Sequence, residues 1–168
     1  MKKYILILLL TIVGLPLSAQ SLAQGKAYYD KGEYEKAKPI YKRFVKSQPN
    51  NGSYNLHYGV CLLQTGEAEA SIKYLETAVK RRTTSGQLWL GKAYAATYRF
   101  EESIETFEEY ISELEKRKRS TEEAEELLEK SQNGVRMLKG AEKICVIDSV
   151  VVDNANFLEA YHISAETG

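Results

Sequence analysis

The chain of 168 residues is poor in histidine and cysteine, two residue types on which many catalytic and metal centres depend. It has two histidines and two cysteines, and neither His57 nor His162 stands in a spacing that is typical of a metal site. The sequence also has no G-x-S-x-G element, no P-loop and no dinucleotide-binding fingerprint. These absences argue against an enzyme, and they predict neither a cofactor nor a bound metal. A hydrolase that uses His57 or His162 is the remaining catalytic alternative.

The chain has no excess of charge of either sign, with 23 basic and 23 acidic residues. A protein that binds nucleic acid usually carries a basic surface, so no nucleic-acid partner is expected. One basic run, Lys116 to Arg119, follows an acid-rich stretch. Basic residues at the C-terminal end of a helix complement its dipole. We therefore interpret this run as a solvated helix end and not as a nucleic-acid patch.

Long apolar runs are absent except at the start of the chain. Met1-Lys2-Lys3 is basic, Tyr4 to Leu17 is nearly all apolar, and Ser18-Ala19-Gln20 consists of small and polar residues. This layout is typical of a secretory signal peptide. A membrane-spanning helix is the alternative, but it needs about 20 apolar residues and this run has about 14. We expect residues 1–19 to be removed, leaving an exported protein that has no membrane span and is periplasmic or associated with the outer membrane.

Cys61 and Cys145 are the two cysteines, and the sequence leaves their state open. An exported chain could join them in a disulfide. However, Cys61 stands in the apolar stretch Val60 to Leu63, where a buried free thiol packs as a small hydrophobic side chain.

A repeat of about 34 residues is the main pattern in the sequence. Gly25 and Gly59 are separated by 34 positions, as are Gly32 and Gly66, and Gly91 has similar neighbours. A period of this length is typical of two helices that are joined by a tight turn and stack on copies of themselves. We therefore expect three such units, at about 18–51, 52–83 and 84–116, within a repeat domain of residues 20–116.

Small residues in the first unit are expected to let its two helices approach each other. Gly25 and Ala37 leave room between the helices, while Gly32 permits a turn conformation that a Cβ would oppose. Pro49 ends the second helix, because proline cannot continue the hydrogen-bond ladder. Pro39 falls inside the second helix and is expected to bend it.

The pattern resembles the tetratricopeptide repeat family over nearly all of residues 20–116. The first unit carries the family signature best, with Gly25, Tyr28, Ala37, Tyr41 and Pro49. The third unit fits from Leu90 to Phe107, whereas the second has leucine for both expected aromatic residues and Ser71 for the small alanine. The resemblance implies an all-α fold, a right-handed α-solenoid of three helix pairs. An unrelated antiparallel helical bundle is the alternative.

A capping helix is predicted over residues 117–143, because a repeat stack needs a terminal helix with a polar outer side. Ser120-x-x-Glu123 fits a capping box at its start, as Ser21-x-x-Gln24 does for the first helix of the repeats. Ser131 and Gly134 thin its apolar face. That face is formed by Ala124, Leu127, Leu128, Val135 and Leu138.

A change of pattern near the end of the chain predicts a short β-prone tail at residues 144–168. Ile144 to Ile147 and Val150 to Val152 are rich in β-branched residues, which favour strands. Asp153-Asn154 is a turn signal. A lone hairpin is only marginally stable in water. The tail therefore either packs on the repeats or begins a domain that continues beyond it.

The same end of the chain resembles a junction in a group of Bacteroidetes-type envelope proteins. The resemblance rests on the run from Gly140 to Ser149, followed by Val151-Val152-Asp153 and Phe157-Leu158-x-Ala160-Tyr161. In that group, a signal peptide and tetratricopeptide repeats lead into a Tol-like β-propeller, sometimes with an OmpA-like domain. The resemblance implies that the tail starts a truncated β-propeller and that the protein associates with the outer membrane.

The tetratricopeptide resemblance also implies a concave groove, lined by the first helix of each unit. The middle of this groove is aliphatic, which suits an amphipathic helix or an extended segment. Leu56 and Val60 interrupt the polar set with which some relatives clamp a terminal carboxylate, so carboxylate clamping is not expected. By register with the family, the groove-facing residues are Lys26, Tyr29, Asp30, Leu56, Val60, Leu63, Leu88 and Lys92.

Two functional hypotheses follow. In the first, the protein is a non-enzymatic protein–protein interaction scaffold of the bacterial cell envelope, and its groove binds a peptide or protein segment. In the second, it is a structural N-terminal domain of a larger outer-membrane-associated protein of the β-propeller or OmpA-like kind. The groove is then packed against the same chain. The partner and the oligomeric state are left open.

Overall fold

The fold was obtained as a computed structural model, which describes the backbone of residues 17–147 and the side chains of residues 21–140. Within residues 17–147 the chain forms seven helices and no strand. Each helix packs against the next, and α3 also contacts α5, as α5 does α7. The helices are α1 (Leu17–Asp30), α2 (Tyr34–Ser47), α3 (Gly52–Gln64), α4 (Ala68–Lys80), α5 (Gly86–Ala96), α6 (Phe100–Lys116) and α7 (Glu122–Ile147). The predicted all-α arrangement of three helix pairs and a further helix is confirmed.

The same tight turn joins the two helices of each pair. Gly32 and Gly66 have φ values of +74° and +83°, which lie in the left-handed region that glycine adopts without cost. Tyr98 takes this position in the third pair, with a φ of 59°. An equivalent hydrogen bond closes each turn, from Glu33 N–H to the Tyr28 carbonyl, from Glu67 N–H to that of Leu62, and from Arg99 N–H to that of Tyr94.

Missing side chains bring the helices of each pair close together, as the sequence predicted. A Cβ added at Gly25 would lie 2.7 Å from Ile40 Cγ2 on α2. At Gly59 it would lie 2.7 Å from Leu75 Cγ on α4. Twelve positions after each glycine of this kind stands a small residue that is fully buried, namely Ala37, Ser71 and Ser103. The three pairs therefore share one steric design although their larger side chains differ.

The start of α7 corrects one sequence-based prediction, and so does the start of α1. Ser21 lies within α1, which already begins at Leu17, so it does not cap that helix. The residue before α7 is Thr121, whose Oγ1 donates a hydrogen bond to Glu125 Oε1 at 2.6 Å. Ser120 stands one residue too early to act as the N-cap, because that role belongs to the residue directly before the first helical one.

The C-terminal end of α7 corrects the predicted boundary of the β-prone tail. Ile144 to Ile147 were expected to begin a strand, but α7 continues through Ile147. β-branched residues lower helix propensity by only a fraction of a kcal/mol each, and an established helix gains one hydrogen bond with every residue added. The rest of the tail, and the β-propeller prediction that depends on it, lie outside the described residues. So do residues 1–16 of the predicted signal peptide.

The packing of α7 on α6 depends on two small residues that were expected to thin the apolar face of α7. Ser131 is 1% exposed, and its Oγ lies 2.9 Å from that of Ser103 on α6. A Cβ added at Gly134 would lie 2.6 Å from ring atoms of Phe100. Ser131 and Gly134 therefore do not weaken the buried face of α7, since they allow α6 to approach it.

Candidate functional site

The eight predicted groove residues do not form one accessible surface. Val60 is fully buried and Leu88 is 9% exposed, so neither is available to a partner and their assignment to the groove is wrong. Val60 belongs to a core cluster that joins three helices, with Ile72 and Leu75 from α4 and Leu90, Ala93 and Tyr94 from α5. The family register gives the direction of a side chain, but the neighbouring helices decide whether it is covered.

On α1, the predicted residues Lys26 and Asp30 are exposed and pair with each other. Lys26 Nζ lies 2.6 Å from Asp30 Oδ2, and the side chains are 65% and 54% exposed. Such an exposed ion pair contributes little to stability, so both groups remain available to a ligand. Tyr29 is half-buried beside them, and burial raises the pKa of its hydroxyl above its ordinary value.

The predicted residues of α3 and α5 are less free than those of α1. Leu56 and Leu63 are partly buried against the core cluster around Val60. Lys92 Nζ lies 2.8 Å from Glu123 Oε1 on α7 and 4.8 Å from the centroid of the Trp89 ring. Since Glu123 is 31 positions away in sequence, spacing alone could not reveal this pair. The cation at the α5 end of the predicted groove is therefore already engaged.

A cavity of about 430 Å³ lies between α1 and α3. Lys26 is the one predicted groove residue in its lining, and sequence reasoning missed the others. The cavity has an aromatic and aliphatic wall with a lysine at one side. Its lining consists of Leu22, Ala23, Lys26, Tyr41, Ser53, Tyr54 and His57.

His57 forms part of an aromatic cluster at this cavity. Its ring stacks on that of Tyr41, with centroids 4.8 Å apart and planes 9° from parallel, and it meets the Tyr29 ring edge-on at 4.6 Å. His57 Nδ1 lies 2.6 Å from the Ser53 carbonyl oxygen, so this nitrogen carries a proton and donates it. Burial is the main cause that lowers the pKa of His57 below its ordinary value.

The surroundings of His57 do not favour nucleophilic chemistry. Ser53 Oγ is 3.4 Å from His57 Nδ1, but that nitrogen already donates to the Ser53 carbonyl and cannot also accept the hydroxyl proton. Among the described side chains there is no group of three or more His, Cys, Asp or Glu that could hold a metal ion. His162 lies outside the described residues.

Cys61 is a free, fully buried thiol in the core between α2 and α3. Burial raises the pKa of this thiol to about 12, so it stays protonated at neutral pH and is a poor nucleophile. The structure thus favours the hydrophobic-packing interpretation of Cys61. The side chain of Cys145 is not among those described.

The described residues contain no helix with the length and apolar character needed to cross a membrane.

Comparison with known proteins supports the tetratricopeptide interpretation. Residues 22–86 match the sequence profile of a family described as "Tetratricopeptide repeat". A search of curated protein sequences found no match. Among solved structures, the chain is similar to the TPR2B domain of yeast Sti1 in a complex with pHsp70, at 16% identity and a TM-score of 0.62. The match covers 69% of this chain and 96% of that one.

Two further solved structures show the same likeness. The first TPR domain of human RPAP3 has 19% identity and a TM-score of 0.62, with 74% of this chain and 96% of that one covered. The first TPR of Spaghetti (RPAP3), bound to the HSP90 peptide SRMEEVD, has 20% identity and a TM-score of 0.59, with 71% and 95% covered. At these identities the similarity establishes the fold, which is that of a tetratricopeptide-repeat solenoid.

Proposed function

We propose that this protein is a non-enzymatic interaction scaffold, and that the cavity between α1 and α3 is the part of its groove that binds a protein segment. The observation that carries the proposal is the cavity itself, with its wall of Leu22, Tyr41 and Tyr54 and the exposed ion pair beside it. Tyrosine and aliphatic side chains of this kind bind apolar anchors of a peptide, while Lys26 and Asp30 can pair with its charged residues.

The fold is consistent with this role, because tetratricopeptide domains are generally interaction modules without catalysis. The Sti1 and Spaghetti domains described above are both in complexes with a partner. The present chain binds its partner without clamping a terminal carboxylate. Val60 is buried and cannot contact a ligand. The predicted groove set has two lysines, and Lys92 pairs with Glu123, so Lys26 is the one that lines the cavity. A single lysine does not provide the bidentate or multiple contacts that carboxylate recognition needs.

The role of the cavity can be tested by replacing each of two alanines with tryptophan in separate variants. Ala23 is exposed and lines the cavity on α1, whereas Ala70 is exposed on α4 and lies outside it. Peptides selected on the wild-type chain from a random library should lose at least about tenfold in affinity for Ala23→Trp, which fills the cavity. They should bind Ala70→Trp as they bind the wild type. Equal affinity of both variants would exclude the cavity as the binding site.

The absence of carboxylate clamping has its own measurement. A selected peptide should bind with nearly the same affinity whether its C-terminus is a free carboxylate or an amide. A loss of roughly tenfold or more on amidation would show that the terminal charge is recognised and would contradict this part of the proposal.

The setting that we propose for the scaffold is the bacterial cell envelope, in the periplasm or at the outer membrane. Its support is the basic, apolar and small-residue layout of residues 1–20. N-terminal sequencing of the protein from an envelope fraction should give a mature chain that begins near Gln20. A chain that retains Met1 and stays in the cytoplasm would contradict export, while leaving the binding proposal to be judged by the Ala23 test.

A further inference from the structure

Two basic segments that are far apart in sequence meet at one end of the solenoid. The first, Lys80 to Arg82, ends α4, and the second, Lys116 to Arg119, ends α6. A cavity of about 290 Å³ lies between them, with Arg82 on one side and Arg117 and Arg119 on the other. The sequence indicated only a solvated helix end at residues 116–119, because nothing in the spacing shows that residues 80–82 lie opposite.

The positive charge of this cavity is only partly neutralised. Arg117 pairs with Glu113, which is the acidic residue in the lining. No salt bridge joins Arg82 or Arg119 to any acidic residue in the described part of the chain. The whole chain carries no net charge, so this cavity is a local concentration of positive charge and not a consequence of composition.

The rest of the lining supplies hydrogen-bond donors. The loop between α4 and α5 places Thr83, Thr84 and Ser85 along the cavity, and Thr83 and Ser85 are half-buried there. Hydroxyl and guanidinium groups commonly donate hydrogen bonds to phosphate oxygens in proteins. An arginine can bind a phosphate group through two parallel hydrogen bonds. Tyr110 and Leu114 form a less polar wall opposite the loop.

We infer that this cavity binds a phosphate-class oxyanion, which the two unpaired guanidinium groups and the loop hydroxyls would hold. A volume of about 290 Å³ is near the lower end for small-molecule sites, so it suits one phosphorylated group and not a long polymer. The group can belong to a free small molecule or to a lipid headgroup, and the chemistry of recognition is the same in both. The cavity shares no lining residue with the one between α1 and α3, so this inference and the proposed function can fail independently.

The test is calorimetric titration of the purified full chain with pyrophosphate at constant ionic strength. We expect saturable binding that falls roughly tenfold or more in Arg82→Gln/Arg119→Gln, since each lost contact is a charge-assisted hydrogen bond. The control is Arg43→Gln/Arg136→Gln. It removes the same charge from exposed positions that do not line the cavity, and it should bind as the wild type does.

A parallel experiment distinguishes a free ligand from a headgroup. Vesicles of phosphatidylglycerol and of phosphatidylcholine are mixed with the wild type and both variants, and bound protein is collected with the vesicles. Selective retention on phosphatidylglycerol that is lost in Arg82→Gln/Arg119→Gln supports a lipid source. Pyrophosphate binding without vesicle retention supports a free phosphorylated ligand.

Three results would overturn the inference. One is the absence of saturable pyrophosphate binding, and another is an equal loss in the control variant, which would show only a response to net charge. The third is tighter binding of a glutamate-rich peptide than of pyrophosphate, with the same dependence on Arg82 and Arg119, which would make the site one for an acidic protein. If the double variant does not fold, NMR titration of the wild type with pyrophosphate tests the inference instead. The amide resonances of residues 82–87 should then shift at lower pyrophosphate concentrations than those elsewhere in the chain, and an absence of such shifts would overturn the inference.

Discussion

Gly134 on α7 lies directly against the ring of Phe100 at the start of α6, where an added Cβ would stand 2.6 Å from ring atoms Cε1 and Cζ. The same relationship holds inside the third helix pair, where a Cβ on Gly91 would stand 2.6 Å from Phe107 Cε1. The contact of a glycine with an aromatic ring thus joins α7 to α6 in the same way as it joins the two helices of the third pair. The terminal helix is a structural continuation of the repeats.

Replacement of Gly134 by alanine should destabilise the chain by about 1–3 kcal/mol, because the ring of Phe100 or the backbone of α7 must move. The measurement is the free energy of unfolding from urea denaturation. Gly140→Ala is the matched control on the same helix, since, apart from its own helix backbone, none of the described residues has an atom within 4 Å of its added Cβ. It should leave stability unchanged or raise it by about 0.5–1 kcal/mol. Equal stability of the two variants would contradict the packing described here.

Gly66→Ala separates backbone conformation from packing. An added Cβ at Gly66 meets none of the described residues within 4 Å, but the φ of +83° at this position is unfavourable for any L side chain. We therefore expect a loss of about 1–2 kcal/mol in the free energy of unfolding from conformation alone. A neutral result would mean that the turn between α3 and α4 does not hold this backbone conformation.

The buried hydroxyls of Ser103 and Ser131 should show coupled energetics. Their Oγ atoms lie 2.9 Å apart, and one hydroxyl donates to the other. When Ser103 donates to Ser131, Ser131 donates to the Leu127 carbonyl, and when Ser131 donates to Ser103, Ser103 donates to the Gly91 carbonyl. Ser131→Ala should cost about 1 kcal/mol, because it leaves one buried hydroxyl with fewer partners.

The double variant Ser103→Ala/Ser131→Ala should cost less than the sum of the two single variants, by about 0.5–1.5 kcal/mol. Alanine fits the position of Ser103, because Ala37 occupies the equivalent position in the first repeat and is fully buried there. A double-mutant cycle measured by urea unfolding checks this prediction. Additive effects would show that the two hydroxyls do not interact.

The pH dependence of stability should carry a contribution from His57. Burial lowers the pKa of this histidine in the folded chain below its ordinary value of 6.5. The unfolded chain then binds more protons than the folded chain at pH values between these two pKa values. The contribution of His57 to the free energy of unfolding is therefore fully present above about pH 6.5 and is lost as the pH falls through the folded-state pKa.

The comparison for this prediction is His57→Phe, which keeps an aromatic ring beside Tyr41 but cannot be protonated. The stability of the wild type relative to the variant should decrease as the pH is lowered from 7 to 5, because the carboxylates shared by both chains cancel. A constant difference between the two across this range would show that His57 is not buried in its neutral form.

The fold could be predicted from sequence because its determinants are local and recur at a fixed period. Gly25, Gly59 and Gly91 mark the close contacts within pairs, and Gly32 and Gly66 mark the turns. The left-handed conformation of Tyr98 was not predicted, because tyrosine rarely adopts a positive φ. It also misjudged Gly134 and Ser131, whose role appears only when α6 lies beside them.

The site was predicted less well than the fold, because accessibility is a property of neighbouring helices. Lys26 lines the cavity between α1 and α3, whereas Val60 proved to be core. Lys92 is held by Glu123, and the basic cavity joins Arg82 to Arg119 across two repeats. Contacts of this kind have no signature in a single sequence, since many pairings of charged residues are compatible with the same helix pattern.

We expect the surface at the α1–α3 cavity to bind another protein in the cell. A photoreactive phenylalanine analogue placed at position 23, and separately at the exposed control position 70, tests this claim in the organism that makes the protein. Irradiation followed by mass spectrometry should give adducts from position 23 to a second polypeptide and none from position 70. Adducts from both positions alike, or adducts from position 23 only to residues of the same chain, would contradict it.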